Sequence, residues 1–204
     1  MKDLEIRQHF HVKKLRRQHA HKNTLVIDEL GLNHGENRAD IAVINGCFIG
    51  YEIKSNDDSL FRLKEQIKSY NAIFDKTYVV VEDRYTKTIH KELPPWWGII
   101  TVFKNGRGVV GFDLIRKACT NKFIDPISIA RLLWRNEVLE ILKQKKIPPK
   151  ILRQPRAILY QSLVDVLSVS KLKKTVREFL KKRKNWRCPE SLFQYDDSCQ
   201  PAAT

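Results

Sequence analysis

The chain has 204 residues, a formal net charge of +15, 42% hydrophobic residues and only eight glycines and eight prolines. This composition excludes a disordered or fibrous chain, and the length allows one domain or a core domain with an appendage. No apolar run approaches the roughly 20 residues that cross a bilayer, and no secretory signal is visible, so we expect a cytoplasmic protein without a membrane partner. The four cysteines form no CxxC pair, which argues against a disulfide scaffold and a structural zinc site.

The positive charge is concentrated in one segment of the chain. Residues 1–115 carry a net charge of +3, residues 116–187 a net charge of +15, and residues 188–204 a net charge of −3. A polyanion is the natural partner for such a basic block, and nucleic acid is the commonest polyanion in a cytosol. The alternative is a basic helical surface that only keeps the protein soluble.

Hydrophobic periodicity predicts an alternation of helices and strands in the first part of the chain. In order, we expect a helix, three strands, a helix, a strand, a short helix and two strands, at residues 3–20, 24–32, 38–44, 47–53, 59–74, 78–81, 86–93, 97–103 and 109–115. Asn45-Gly46 predicts a tight hairpin between the second and third strands, because both residues tolerate positive φ. Asp57 or Asp58 is the expected cap of the helix at 59–74.

The rest of the chain has helical periodicity, in pieces near 126–144, 155–168 and 171–184. We therefore predict an α/β core at residues 1–120, a basic all-α appendage that binds nucleic acid at residues 121–187, and a flexible tail at residues 188–204.

The predicted hairpin carries the residues that suggest chemistry. Asp40 lies early on its first strand, and Glu52 and Lys54 end its second strand, where their spacing of two places both on one face. Pairing through the turn brings Asp40 near them. Two carboxylates beside a lysine suit Mg²⁺ or Mn²⁺, and the lysine can polarise an attacking water and offset charge on a phosphate. The alternative is a surface hairpin with an ordinary salt bridge.

These residues, followed by Gln66 and Tyr70 on the next helix, resemble the PD-(D/E)XK nuclease superfamily, which has the restriction-endonuclease-like fold. The Gln-x-x-x-Tyr element is similar to that of the RecB-type branch. The resemblance implies a central mixed sheet flanked by helices, with an α-β-β-β-α-β core. It implies that Asp40, Glu52 and Lys54 are catalytic and that Gln66 supports them.

The segment around the hairpin also resembles a small bacterial group of this superfamily whose role is unassigned. The shared elements are Glu29-Leu30-Gly31, Arg38-Ala39-Asp40 and Tyr51-Glu52-Ile53-Lys54-Ser55. This resemblance implies Glu29, Asp40 and Glu52 as metal ligands, with Glu29 preferred over its neighbour Asp28. Ala39 departs from the proline that the superfamily's name contains.

The function that follows is a Mg²⁺-dependent deoxyribonuclease, which hydrolyses phosphodiester bonds by a metal-activated water in DNA repair, restriction or phage defence. The alternative is a non-catalytic nucleic-acid-binding protein that keeps the fold. DNA is the expected partner, with RNA, a homodimer or a larger defence or repair complex as further options. The residues expected to contact nucleic acid are Arg38, Arg62, Tyr70, Lys171, Lys173, Lys174, Arg177, Lys181, Lys182 and Arg183.

Two other groups of residues have ordinary structural interpretations. His9, His11, His19 and His21 form pairs two residues apart, which do not share a helix face, so a solvated helix is favoured over a metal site. Trp96-Trp97 is favoured as a core edge or a partner-facing patch over a base-stacking platform.

Overall fold

The structure, a computed structural model, describes residues 1–55, 63–184 and 186. In these residues the helices are α1 (Asp3–Lys14), α2 (Arg16–Ala20), α3 (Leu63–Ile73), α4 (Thr86–Glu92), α5 (Pro126–Ala130), α6 (Arg135–Gln144), α7 (Pro149–Leu152), α8 (Arg156–Val166) and α9 (Val169–Lys182). The strands are β1 (Leu25–Leu32), β2 (Asn37–Ile44), β3 (Phe48–Lys54), β4 (Lys76–Glu82), β5 (Gly98–Lys104) and β6 (Val110–Arg116). No helix of this part of the chain has the length and apolarity needed to cross a membrane.

The six strands form one mixed sheet in their chain order, β1 to β6. β1, β2 and β3 are antiparallel neighbours, β3, β4 and β5 run parallel, and β6 pairs antiparallel with β5. α3 and α4 supply the crossover connections that parallel strands require. The predicted α/β class with a central mixed sheet is confirmed.

Helices cover both faces of the sheet, so its central strands are buried on two sides. Successive residues of β4 show this, because Val79 and Val81 join the core on one face and Val80 joins the core on the other. α1 covers the second face through Ile6 and Phe10, and α3 to α9 pack on the first.

The C-terminal helices share their hydrophobic core with the sheet. Leu133, Val138 and Val176 belong to the same buried cluster as Ile27 and Phe74, on the other side of the predicted boundary at residue 120. The division of function between these two segments stays a prediction, and the predicted tail at 188–204 lies outside the described residues.

The predicted helix at 126–144 is two helices, because the chain turns between α5 and α6. The Asp125 carboxylate caps α5 by accepting hydrogen bonds from the backbone N–H groups of Ile127 and Ser128. α6 starts where Glu137 Oε2 accepts a hydrogen bond of 2.7 Å from the Trp134 N–H. Both ends of the break therefore have a carboxylate that satisfies free backbone donors.

The hairpin between β2 and β3 is present, but neither Asn45 nor Gly46 has a positive φ. A longer turn replaces the predicted one, with a hydrogen bond of 3.3 Å from Asn45 N to Cys47 O and one of 3.2 Å from Cys47 N to Asn45 Oδ1. The predicted caps Asp57 and Asp58 lie in the segment 56–62, outside the residues described.

The prediction of a solvated histidine-rich helix is wrong for His11, because α1 lies against the sheet. His11 is buried, with Nε2 2.9 Å from Asp28 Oδ1 and Nδ1 2.9 Å from His19 Nε2. Trp97 belongs to the core, as favoured from the sequence, and its indole N–H donates to Asn71 Oδ1 at 2.8 Å.

Candidate active site

A cleft of about 510 Å³ opens at the end of the sheet where β2 begins and β3 ends. The ladder between these strands pairs Ile41 with Tyr51, so Asp40 and Glu52 come next to each other just beyond it. Asp40, Glu52, Lys54 and Gln66 all line this cleft. The structure thus brings together the four residues that the sequence predicted as catalytic.

Asp40 and Glu52 present two carboxyl groups to the same space. Asp40 Oδ2 accepts a hydrogen bond of 2.7 Å from the Ile53 N–H, while Glu52 is almost fully buried and its Oε1 lies 2.8 Å from Lys54 Nζ. Burial, together with the negative charge of Glu52, raises the pKa of Asp40 well above its usual value. The two carboxylates therefore repel each other in a space with little water to screen them.

Two side chains of α3 hold this arrangement from one side. Gln66 and Tyr70 are four residues apart and share a helix face. Gln66 Oε1 accepts a hydrogen bond of 2.7 Å from Lys54 Nζ. The Tyr70 hydroxyl donates to Glu52 Oε2 at 2.6 Å and accepts from the Asp40 N–H at 3.2 Å.

Tyr70 has no exposed surface, and its ring contacts those of Phe74 and Trp97. Burial, with the charges of Glu52 and Asp40, raises the pKa of its hydroxyl well above the usual value, so the hydroxyl remains a donor. A side chain without exposed surface cannot meet DNA. The structure places Tyr70 as the residue that holds Glu52, not as the nucleic-acid contact predicted from the sequence.

Arg7 is a member of the site that sequence reasoning missed. Its guanidinium, carried by α1, lies 2.9 Å from Asp3 Oδ1, 3.5 Å from Glu29 Oε1 and 3.7 Å from Asp40 Oδ1. The sequence offers only the pair Asp3 and Arg7 at a spacing of four, which is an ordinary helix-surface ion pair. Its position in the cleft depends on where α1 packs.

Glu29 faces the cleft, whereas its neighbour Asp28 faces His11 on the opposite side. Glu29 has a φ of 54°, a left-handed conformation that takes it out of the regular pairing of β1 with β2. Glu29 Oε2 lies 3.3 Å from Arg38 and Oε1 lies 3.5 Å from Arg7. The Arg38 side chain itself lines the cleft and is 61% exposed.

The basic residues of α9, together with Arg183 directly after it, fall into two groups: those with partners inside the protein and those that are exposed. Lys173 pairs with Asp75, Lys181 donates to the carbonyl groups of Asn23 and Asn45, and the Arg177 guanidinium lies 5.7 Å from the centre of the Phe48 ring. Arg183 pairs with Glu137. The three that are exposed are Lys171, Lys174 and Lys182.

α9 is anchored at the end of the sheet that lies away from the cleft. Asn45 and Phe48 flank the start of β3, whereas Glu52 and Lys54 lie at its end. At 3.3 Å per residue, Lys54 is about 20 Å along the strand from Phe48. The structure therefore does not bring the basic residues of α9 to the four cleft residues. Arg62, another predicted contact, is outside the described part of the chain.

Asp40 and Glu52 are the two carboxylates of the cleft that could hold a divalent cation. No group of three or more His, Cys, Asp or Glu side chains among the described residues is placed to hold a metal ion, and Glu29 is engaged by two arginines. Mg²⁺ is commonly held by one or two carboxylates together with water and substrate phosphates. Asp40 and Glu52, whose mutual repulsion a cation would relieve, match that requirement.

Comparison with known proteins identifies one family. The family described as "Bacteriophage P4 protein cII" matches residues 6–191. Protein cII of Enterobacteria phage P4 is 29% identical over 119 residues, which cover 58% of this chain and 45% of that protein. The matched region thus spans less than half the length of this relative. No solved structure matches the chain.

Proposed function

The chain belongs to the family of bacteriophage P4 protein cII, and we propose that it is a metal-dependent nuclease that hydrolyses phosphodiester bonds in DNA. The observation that carries this proposal is the meeting of Asp40, Glu52 and Lys54 in one cleft. The proposed architecture is the restriction-endonuclease-like core of the PD-(D/E)XK superfamily, with the C-terminal helices as its appendage.

The burial of the acidic pair supports a catalytic site over a simple binding surface. Glu52 is 1% exposed, and ionised groups are expensive to bury unless they are paired and hydrogen-bonded. A protein that only binds nucleic acid gains nothing from buried carboxylates, because they repel phosphate. An ordinary surface salt bridge does not require Tyr70 and Gln66 to hold both of its partners from a neighbouring helix.

Each residue of the cleft has a task in this proposal. Asp40 and Glu52 would hold a divalent cation, which would supply an acidified water and positive charge at the phosphate. Lys54 stabilises the negative charge that grows on the phosphate oxygens, and Gln66 fixes the position of its Nζ. Tyr70 keeps Glu52 oriented.

Cations around the cleft complete the proposed interaction with DNA. Arg38 contacts a phosphate at the mouth, and Arg7 offsets part of the negative charge of Asp40 and Glu29. Away from the cleft, the exposed Lys171, Lys174 and Lys182 of α9 add sequence-independent affinity for the DNA backbone. The proposed place of action is the cytoplasm.

Cleavage assays on linear, circular, nicked and branched DNA, and on RNA, test this function with Mg²⁺ or Mn²⁺ and with EDTA. We expect cleavage that requires the metal and that falls by at least about 100-fold in Asp40→Asn and Lys54→Gln. Matched controls are Asp113→Asn and Lys117→Gln, because both residues are exposed outside the cleft.

Equal cleavage by the cleft variants and the native protein would overturn the catalytic assignment. Absence of cleavage on every substrate, with DNA binding retained, would favour the non-catalytic nucleic-acid-binding protein. Circular dichroism of each variant shows whether the fold is kept.

A further inference from the structure

A second cavity, of about 700 Å³, lies beside the cleft and is not used by the proposed reaction. The connection between β1 and β2 borders both spaces, and Gly35 lines both. We call this cavity the arginine pocket and define it by His34, Arg131, Trp134, Arg135, Arg156 and Tyr160.

Three arginines give the arginine pocket positive charge. Arg131 donates to Asn33 Oδ1 at 2.6 Å, and Arg135 reaches Gln154 O at 3.4 Å. No ion pair of Arg131, Arg135 or Arg156 occurs within the described ranges 1–55 and 63–184. Burial, followed by the charges of Arg156 and Arg131, lowers the pKa of His34. This cationic field favours an anion.

Two helices begin at this pocket. α6 starts at Arg135 and α8 starts at Arg156, and both residues line the cavity. The first turn of a helix carries unpaired N–H groups and a partial positive charge, both of which favour an anion. Glu137 already accepts a hydrogen bond at the start of α6, whereas no side chain caps the N-terminus of α8, so α8 makes the larger contribution. The backbone thus adds to the field of the three guanidinium groups.

An aromatic surface completes the pocket. Trp134 remains 56% exposed, although large apolar side chains are usually covered. The Arg183 guanidinium lies 4.1 Å from the centre of its ring and 5.2 Å from that of Trp186, and Glu137 neutralises Arg183. The indole of Trp134 is therefore held in place while much of it faces solvent, as in a stacking platform for a base.

A nucleotide is the ligand that combines these requirements, because it joins an anionic phosphate to a planar base. We propose that the arginine pocket binds one nucleotide, with its phosphate at Arg131, Arg135 and Arg156 and its base against Trp134. The volume of about 700 Å³ lies within the roughly 300–1,000 Å³ that is usual for small-molecule sites. In the context of the proposed nuclease, on which this role rests, the nucleotide belongs to the strand whose phosphodiester lies in the cleft.

The loop between the two cavities supports a functional link. Asn33, His34 and Gly35 have φ values of 47°, 62° and 93°, so three consecutive residues are left-handed. Such a conformation is costly for residues other than glycine and concentrates at functional sites. Arg131 holds Asn33, which ties a cation of the pocket to the loop whose Gly35 lines the cleft.

Binding measured in EDTA tests this proposal without any cleavage. The probe is a single-stranded oligodeoxynucleotide with a 3′ fluorescent label, prepared with a 5′-phosphate or a 5′-hydroxyl, and read by anisotropy with the full chain. We expect Arg156→Gln and Trp134→Leu each to weaken binding about tenfold relative to Arg153→Gln. Arg153 is a matched control, because it is exposed nearby and does not line the cavity.

Competition identifies the source of the nucleotide. A preference for the 5′-phosphate that disappears in Arg156→Gln assigns a strand end, and equal binding of both probes assigns an internal nucleotide. Displacement by millimolar dAMP, but not by inorganic phosphate, assigns a free nucleotide.

The proposal is overturned if Arg156→Gln, Trp134→Leu and Arg153→Gln bind every probe alike. Repeating the measurement in Asp40→Asn separates the two sites, because its binding stays dependent on Arg156 even if the protein proves not to be a nuclease. Conversely, metal-dependent cleavage with no effect at Arg156 or Trp134 would refute the pocket alone.

Discussion

The carboxyl group of Asp40 is kept in an environment that opposes its ionisation. Its pKa is raised in the folded protein, first by burial and second by Glu52, so the folded state holds this proton more tightly than the unfolded chain does. The stability of the metal-free protein must then fall as the pH rises above the usual value of 3.8. Such a loss of stability is typical of a functional site whose negative charge is balanced only when a cation binds.

Replacing Asp40 by Asn should therefore stabilise the metal-free protein at pH 8 and change little near pH 3.5. Each 1 kcal/mol gained corresponds to about 2–4 °C in melting temperature for a protein of this size. Calorimetry in EDTA at both pH values measures the effect, with Asp113→Asn as the control. A lower melting temperature for Asp40→Asn at pH 8 would contradict the inference that the carboxylates of Asp40 and Glu52 repel each other.

His19 makes the stability of the protein depend on pH in the opposite direction from Asp40. Burial, followed by the neighbouring His11, lowers the pKa of His19 in the folded protein. The unfolded chain therefore binds this proton more readily, and stability should decrease as the pH falls below about 6.5.

In His19→Gln, the free energy of unfolding should depend less on pH between pH 7.5 and 5.5 than in the native protein. Urea titrations at several pH values measure this slope. His90→Gln is the control, because His90 is exposed and lies outside this cluster. Parallel slopes for the native protein and His19→Gln would rule out this histidine as the acid-sensitive group.

At the scale of elements, α9 combines structural and exposed cations within one helix. Lys173, Arg177 and Lys181 hold the helix against the sheet, while Lys171, Lys174 and Lys182 face outward. The sequence shows both groups as one basic run. Only the packing of Leu172, Val176 and Leu180 into the core decides which lysines are left for nucleic acid.

Replacing Lys171, Lys174 and Lys182 together by Gln should weaken DNA binding without changing the melting temperature. If each contacts one phosphate, the log–log slope of affinity against salt becomes shallower by about 3. In contrast, Lys173→Gln should destabilise the fold by about 1–3 kcal/mol, because it leaves the Asp75 carboxylate without its cation.

Salt titrations of DNA binding and thermal melts separate these two effects. A triple variant at the exposed Lys14, Lys22 and Lys91 controls for the loss of three positive charges. Equal losses of affinity in the two triple variants would show that net charge, rather than α9, attracts DNA.

At the scale of the whole molecule, one hydrophobic cluster spans the sheet and the C-terminal helices. Removing α5 to α9 would expose Ile27, Phe74 and their neighbours. We therefore expect a single cooperative unfolding transition for the full chain, and a fragment ending at Asp125 that does not fold. Calorimetry of both tests this, and two separate transitions would support independent domains.

The sequence predicted the order of the strands and helices well, because alternation and helical spacing are local signals. It also predicted the meeting of Asp40, Glu52 and Lys54, since a short hairpin brings them together, whereas Gln66 was expected there from the family resemblance. These contacts span few residues of chain.

The remainder of the site depends on contacts between distant segments. Arg7 enters the cleft only because α1 packs on the sheet. Glu29 was expected at the site from the family resemblance alone, and the left-handed backbone that turns it toward the cleft is not indicated by hydrophobic periodicity. The arginine pocket joins the loop at His34 to Arg131 and Arg156, about 100 residues later in the chain. Such proximity is set by tertiary packing, and the hydrophobic periodicity of the sequence does not indicate it.

The left-handed loop from Asn33 to Gly35 has a consequence for how such proteins diversify. Gly35 lines both cavities and His34 lines the arginine pocket, so an insertion in this loop changes the shape of both cavities at once. Natural variants of the cleft and of the arginine pocket should therefore be inherited together, as one unit of selection, while the sheet around them is free to drift.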